Sequence, residues 1–283
     1  MPIREKGYYK WEGELKTSYV KWLPIFLNGI KSVYKKRFSK FLFASSALTF
    51  LIFLVAVYVS TKPELKMLTK LVRMIQTDAV LFNAYYTNGF LLFMMVIISL
   101  FTGAEQISGD LKFKSFTLYL SRPLSRLDYV KGKFSIVLFY LLAFTLVPGL
   151  LLIIFKIIFT GGFSVSFRVI LGVFIFPIML SLFLASLSIT LSSLSANARL
   201  VKVLIFVIYL MSDLIGHMFQ DIFKSRSFLY FSISENVKHF GEFVFGTRNG
   251  GSYTEGLISG SILVGLTLIF FAILTMRIKR VEV

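Results

Sequence analysis

"ISGDLKFKSFTLYLSRPLSRLDYVKGK", Ile107 to Lys133, carries six lysines and arginines and Pro123, and it stands between two long apolar runs. A segment so charged does not cross lipid. The runs on either side, Ala79–Ala104 and Phe134–Phe155, hold no charged residue and are long enough to do so at about 1.5 Å per residue. The stretch is therefore a turning point between two membrane spans, and the fold class follows by reading outward from it.

Three further charge-free windows run over Phe41–Ser60, Val169–Ala198 and Gly256–Met276, and a sixth, Val203–Gln220, carries Asp213. With 56% hydrophobic residues, 32 phenylalanines and a mean hydropathy of +0.78 over 283 residues, the chain is too apolar to hide its surface in one soluble core. The expected fold is all-α and polytopic. Residues 1–40 form an arm with an interfacial helix, and 41–283 form one membrane domain with spans near 41–60, 79–104, 134–159, 169–194, 203–220 and 256–276.

A net charge of +17 in a soluble protein would point to nucleic acid, but here the basic residues cluster at span ends, so no nucleic-acid partner is expected. Counted by alternate sides, 21 lysines and arginines fall with the N-terminal arm, the Glu105–Lys133 region, Ser195–Lys202 and the C-terminal tail. Nine fall on the other side, and Lys156 is left within a span. The positive side is cytoplasmic, which places both termini and the opening stretch there, as in a multi-pass plasma-membrane protein. About 40 polar and basic residues precede the first apolar run, so the first span is expected to act as its own anchor. The absence of cysteine excludes disulfides and thiolate chemistry.

Within the arm, Trp22, Leu23, Phe26, Leu27, Ile30, Val33 and Tyr34 recur at helical spacing opposite Lys21, Lys31, Lys35 and Lys36. This pattern predicts a helix lying at the membrane surface against anionic lipid headgroups, with Pro24 accepted in its first turn. Pro148 and Pro177 each remove a backbone donor and should bend their spans. Ser181, Ala185, Ser188, Ser192 and Ser195 form a small-residue seam. It suits close helix packing, or else Ser188 and Ser192 line a polar solute path. Gly256 and Gly260 give a weaker packing signal of the same kind. The aromatic segment Asp221–Glu255 predicts one or two short helices at the outer leaflet, ending in the turn at Asn249–Gly251.

Catalytic chemistry finds no support. His217 and His239 form no HExxH, and no GxSxG or P-loop occurs, so neither a catalytic group nor a metal or bound cofactor is expected of this chain. Asp213, His217 and Asp221 share one helical face. A carboxylate in hydrocarbon needs a partner or a hydrated cavity. Asp213 and His217 are thus either contacts on a translocation path, or the hydrated outer-leaflet end of a shorter span, or a helix-packing hydrogen bond. Lys156, near the outer end of its span, is expected to snorkel.

In the opening stretch Leu111, Phe113, Phe116, Leu118, Leu120, Leu124 and Leu127 alternate with Lys112, Lys114, Arg122, Arg126, Lys131 and Lys133. A short amphipathic helix, a turn at Ser121–Pro123 and a second short helix that starts near Leu124 and feeds the third span are expected. The stretch resembles the cytoplasmic motif of ABC transporter permeases of the six-helix, type V exporter class, the ABC-type-two membrane permeases. The matching residues are Ile107, Asp110, Ser115, Leu118, Leu120, Ser121, Arg122, Pro123, Ser125, Arg126, Gly132 and Lys133. Gly109 and Lys114 stand where that family often has a second acid and a glycine. The "WEGEL" arm, the basic interfacial helix, the six spans and the "RIKRVEV" tail follow the same order.

The resemblance implies a permease subunit that works with a second permease, as homo- or heterodimer, and a separate ATPase subunit that binds ATP and Mg. The segment between spans 2 and 3 is then a coupling helix. Asp110, Arg122 and Arg126 would dock it, Phe116, Leu118 and Leu120 would seat it, and Pro123 would fix its bend; Ile107 and Lys133 bound it. An ion-coupled carrier using Asp213, or a scaffold without flux, are the alternatives. The substrate is not legible.

Overall fold

The computed structural model describes residues 20–61, 77–115, 119, 124–163, 165–247 and 253–280. They are helical almost throughout, with no strand among them. In chain order the helices are α1 (Leu23–Tyr34), α2 (Arg37–Thr61), α3 (Asp78–Tyr86), α4 (Gly89–Lys112), α5 (Arg126–Thr160), α6 (Phe167–Leu194), α7 (Ala198–Phe223), α8 (Ile233–Phe245) and α9 (Tyr253–Arg280), with a 3₁₀ turn at Arg226–Phe231 before α8. Helix α6 is the hub, packed against α3, α4, α5, α7, α8 and α9.

Among the described residues, five stretches are long and apolar enough to cross a membrane: Ala44–Thr61, Asp78–Lys112, Arg126–Thr160, Phe167–Leu194 and Tyr253–Lys279. This is one short of the six expected, and the difference is α7. That helix has 26 residues, about 39 Å of rise, but Asp213, His217 and Asp221 break its apolar surface along one side.

The second span is two helices. At Asn88 the side-chain oxygen accepts from the backbone N–H of Phe90 at 2.9 Å and of Leu91 at 3.3 Å, which starts α4 afresh after α3 has ended. A side chain that caps in this way competes with continuation of the preceding helix.

Both intrahelical prolines leave a carbonyl four residues back without its usual donor, a costly state where no water reaches. Neighbouring helices supply the donor in each case. The Ser46 hydroxyl of α2 donates to the Phe144 carbonyl, opposite Pro148, at 3.1 Å. The Tyr86 hydroxyl of α3 donates to the Val173 carbonyl, opposite Pro177, at 3.4 Å. Tyr86 is wholly buried and stacks on Phe245 at 5.7 Å between centroids, which ties α3 to α8 as well.

Helix α1 does not lie free on a surface. A Cβ at Gly132 would come within 2.9 Å of Ile25, so only glycine lets the start of α5 approach α1 this closely, and Gly29 is matched in the same way to Ile136. Phe26 meets Phe139 edge-on at 5.9 Å, and the Tyr140 hydroxyl donates to the Ile30 carbonyl at 2.8 Å. The apolar stripe is thus shared: Ile25, Ile30 and Val33 cover protein, while Leu23, Leu27 and Tyr34 stay exposed beside the lysines.

At the end remote from Ile107–Lys133, α8 is clamped on several sides. The Arg168 guanidinium donates to the Phe243 and Val244 carbonyls at its C-terminus, where a cation is favoured. Gly256 and Gly260 of α9 sit under Phe243 and Phe240. Lys156 corrects its expectation, since it does not reach for solvent. It is buried, pairs with Asp78 at 3.0 Å and donates to Ser60 at 3.0 Å. The acid that holds it lies 78 residues earlier in the chain, at the first turn of α3.

Candidate functional site

The legs of the hairpin are uninterrupted continuations of two spans. Helix α4 runs to Lys112 and closes in a turn where Lys114 takes a left-handed conformation, φ +53°, while the Ser115 N–H donates to the Asp110 carbonyl at 2.9 Å. Helix α5 begins at Arg126. Its cap is reciprocal: the Asp128 N–H donates to the Ser125 hydroxyl at 3.0 Å, and the Ser125 N–H donates to the Asp128 carboxylate at 3.2 Å. From there it is unbroken to Thr160, 35 residues and about 52 Å. The expected helix near Leu124 does feed the third span, but it is not a separate short element: it is the first turns of that one helix. The Ser-x-x-Asp spacing at 125–128 was the legible signal.

A buried cross-brace ties the legs together. Asp110 of α4 accepts from Lys133 of α5 at 2.8 Å and from the Tyr129 hydroxyl at 2.6 Å. The Lys133 and Asp110 side chains are only 10% and 16% exposed, so water cannot substitute for either partner. The Lys133 ammonium also lies over the rings of Tyr119 and Tyr129, at 5.4 and 5.6 Å from their centroids. Burial, and then the Asp110 charge, hold the Tyr119 phenol above its ordinary range. It stays protonated beside the acid.

The rest of the molecule grips the same two legs. Ser192 of α6 accepts from the Ile107 and Ser108 N–H groups at 3.0 Å each and donates to the Ala104 carbonyl at 2.8 Å. Ile107 is wholly buried there, and Ser188, one turn further along the seam, sits against Gly103. Glu105 pairs with Lys36, at the junction of α1 and α2, and with Lys202 in the first turns of α7. The Arg126 guanidinium donates to the Ile278 and Lys279 carbonyls at the C-terminus of α9. Between them the two legs are thus bonded to the α1–α2 junction, α6, α7 and α9.

Of the coupling residues read from the sequence, Ile107, Asp110, Arg126 and Lys133 meet at this end of the bundle. Phe116, Leu118, Leu120, Arg122 and Pro123 lie outside the described residues. The four residues assigned to a solute path are not brought together. Ser188 and Ser192 are buried in the α4–α6 contact, whereas Asp213 and His217 lie near the opposite end. There Asp213 accepts from the Ser232 hydroxyl at 2.7 Å and the Ser234 N–H at 3.2 Å, so it caps α8. His217 is exposed, 4.0 Å from Glu235. Among the described residues no cluster of three or more acids and histidines could hold a metal ion.

The roles of Glu105, Lys36 and Lys202 had no sequence signal, because the three residues are far apart in the chain and each reads as an ordinary charge at a span end. A comparison with curated proteins gives no match. The family model for ABC-2 family transporter proteins, however, matches residues 30–283, all of the membrane-embedded part and the hairpin within it. With its apolar helices and its two spans joined by a braced basic turn, the chain belongs to the ABC-2 transporter family, as a membrane permease.

Proposed function

We propose that the chain is the permease half of an ABC exporter and that its Ile107–Lys133 hairpin receives force from a separate ATPase subunit, which binds the ATP and Mg. The observation that carries this reading is the Asp110–Lys133–Tyr129 brace between two legs that are themselves spans. A loop that only touched headgroups would not need buried charges joining its ends. A lever must not splay when pushed, and a brace between the legs prevents that.

In this reading α7 is the sixth span. Its first turns touch α4 at Glu105, near the hairpin, Asp213 bonds to α8 further along, and its 26 residues rise about 39 Å, enough to cross the hydrocarbon. Both termini are then cytoplasmic, in the plasma membrane, with a second permease subunit completing the translocation path and the surrounding lipid covering the remaining apolar faces. Closure of the ATPase pair would move the two legs as one body. Ser192 would pass the motion to α6, Lys202 to α7 and Arg126 to α9.

The test is ATPase activity of the reconstituted complex. Lys133→Met and Asp110→Asn should each lower the permease-dependent rate at least tenfold while the ATPase still co-purifies, and the exchange D110K/K133D should restore part of it. Full activity in both single variants would remove the brace from the mechanism. Failure of any ATPase to co-purify with the unaltered chain would remove the reading itself.

A further inference from the structure

At the end opposite the hairpin a cavity of about 300 Å³ opens between the end of α7, the 3₁₀ turn, α8 and the start of α9. Gln220, Arg226, Ser227, Tyr230, His239 and Glu255 line it, a composition that neither force coupling nor helix packing calls for. Within this lining the His239 Nδ1 is buried and has no hydrogen-bond partner among the described residues, although buried imidazole nitrogens are ordinarily satisfied. The guanidinium, amide and hydroxyl groups offer donors to an anion, and the carboxylate offers an acceptor to a cation.

The surface beside the cavity has the opposite character. Phe223, Phe228 and Phe231 stack, with centroid separations of 5.0 Å for Phe223–Phe228 and 6.4 Å for Phe228–Phe231, and Phe219 meets Phe228 edge-on at 5.7 Å. Phe223 and Phe231 are 60% and 61% exposed. These residues alternate in sequence with Gln220, Arg226 and Ser227, so one short segment presents an apolar shelf and a charged recess side by side. Exposed phenylalanine rings are apolar and suit acyl chains, while the polar recess beside them suits a headgroup.

We propose that this recess binds the headgroup of a zwitterionic phospholipid. The phosphate lies against Arg226, with Ser227, Gln220 and the His239 imidazole as further partners; the amine lies against Glu255; and the acyl chains lie along the phenylalanine shelf. A volume of this size accepts a headgroup and leaves the chains outside. The inference rests on the membrane reading of the fold, but not on coupling to an ATPase. Loss of binding with hairpin-dependent ATPase activity intact would refute the site alone.

The chain has two histidines, so His217→Gln, an exposed substitution, leaves His239 as the only one. This full-length variant, labelled with [¹⁵N]histidine in detergent micelles, is titrated with dihexanoyl phosphatidylethanolamine, O-phosphoethanolamine or inorganic phosphate. The lipid should move the His239 resonances saturably. O-phosphoethanolamine should do so only at higher concentration, because it lacks the chains. Arg226→Ala should raise the half-saturating concentration of the lipid about tenfold or more, as expected for loss of a charge-assisted hydrogen bond. Should the unliganded His239 signal of that variant be displaced, Arg226→Gln replaces it in the comparison. A resonance that does not respond to the lipid, or responds equally without Arg226, overturns the proposal. Saturation by inorganic phosphate at concentrations as low as the lipid's would assign the recess to a free anion and overturn the lipid.

Discussion

Deleting one hydroxyl, Ser46→Ala, should destabilise the protein only as long as Pro148 is present. The Phe144 carbonyl faces a proline that has no N–H to offer, and its replacement donor is the Ser46 hydroxyl at 3.1 Å, in a buried contact between α2 and α5. Without it the carbonyl is left unpaired where no water competes, at a cost of about 1–3 kcal/mol. In a Pro148→Ala background the residue at 148 again carries an N–H, the i−4 hydrogen bond can close, and the same Ser46→Ala change should cost well under about 1 kcal/mol. The double-mutant cycle should thus give a coupling of about 1–2 kcal/mol. The assay is thermal inactivation of the detergent-solubilised protein at one fixed scan rate, because membrane proteins rarely unfold reversibly and only matched conditions compare. Equal losses from Ser46→Ala in the two backgrounds would refute the reasoning, since the serine would then be acting through packing and not through the orphaned carbonyl.

Tyr86→Phe should behave in the same way toward Pro177→Ala, with a smaller coupling because the 3.4 Å contact to the Val173 carbonyl is longer; the same inactivation cycle reads it. Lys156→Leu should cost about 3 kcal/mol by leaving Asp78 partly buried and uncompensated, whereas K156L/D78L together should recover most of that loss, and additive losses would contradict the pairing. Gly132→Val should push α1 off α5 at a cost of about 1–3 kcal/mol, seen as faster tryptic cleavage at Lys31 or Lys35, while Gly109→Val, where a side chain meets open space, should leave cleavage unchanged. Asp213→Asn keeps an oxygen that can accept from Ser232 and Ser234, so the fold should hold; a collapse in thermal stability would show that the charge itself is needed there.

Much of the architecture was legible because lipid imposes a simple rule: helices long and apolar enough to span, and charges gathered at their ends. The hairpin, the two prolines and the packing glycines of α9 all announced themselves in this way. What escaped was whatever depends on which helix lies beside which. Lys156 looks like any lysine near a span end until α3 brings Asp78 to it. Asp213 could be read as making a packing hydrogen bond, but not with what: the partner is a segment some twenty residues later that folds back to it. The break at Asn88 was hidden because both halves are apolar and the capping geometry is what separates them. Asp110 and Lys133 were singled out as residues of a surface-facing motif. Their contact with each other required knowing that the two legs lie side by side.

The proposed coupling is tested most directly by finding what the segment that joins the two legs touches. The chain has no cysteine, so Arg122→Cys or Phe116→Cys gives a unique thiol, with Leu257→Cys at the opposite end of the bundle as the comparison. In membranes that contain the co-expressed ATPase, a short bifunctional thiol-to-amine reagent should join position 122 or 116 to the ATPase subunit and leave position 257 unjoined. Should neither position 116 nor 122 link to any protein while the assembly still hydrolyses ATP, force must enter elsewhere, and the braced hairpin is not its point of entry.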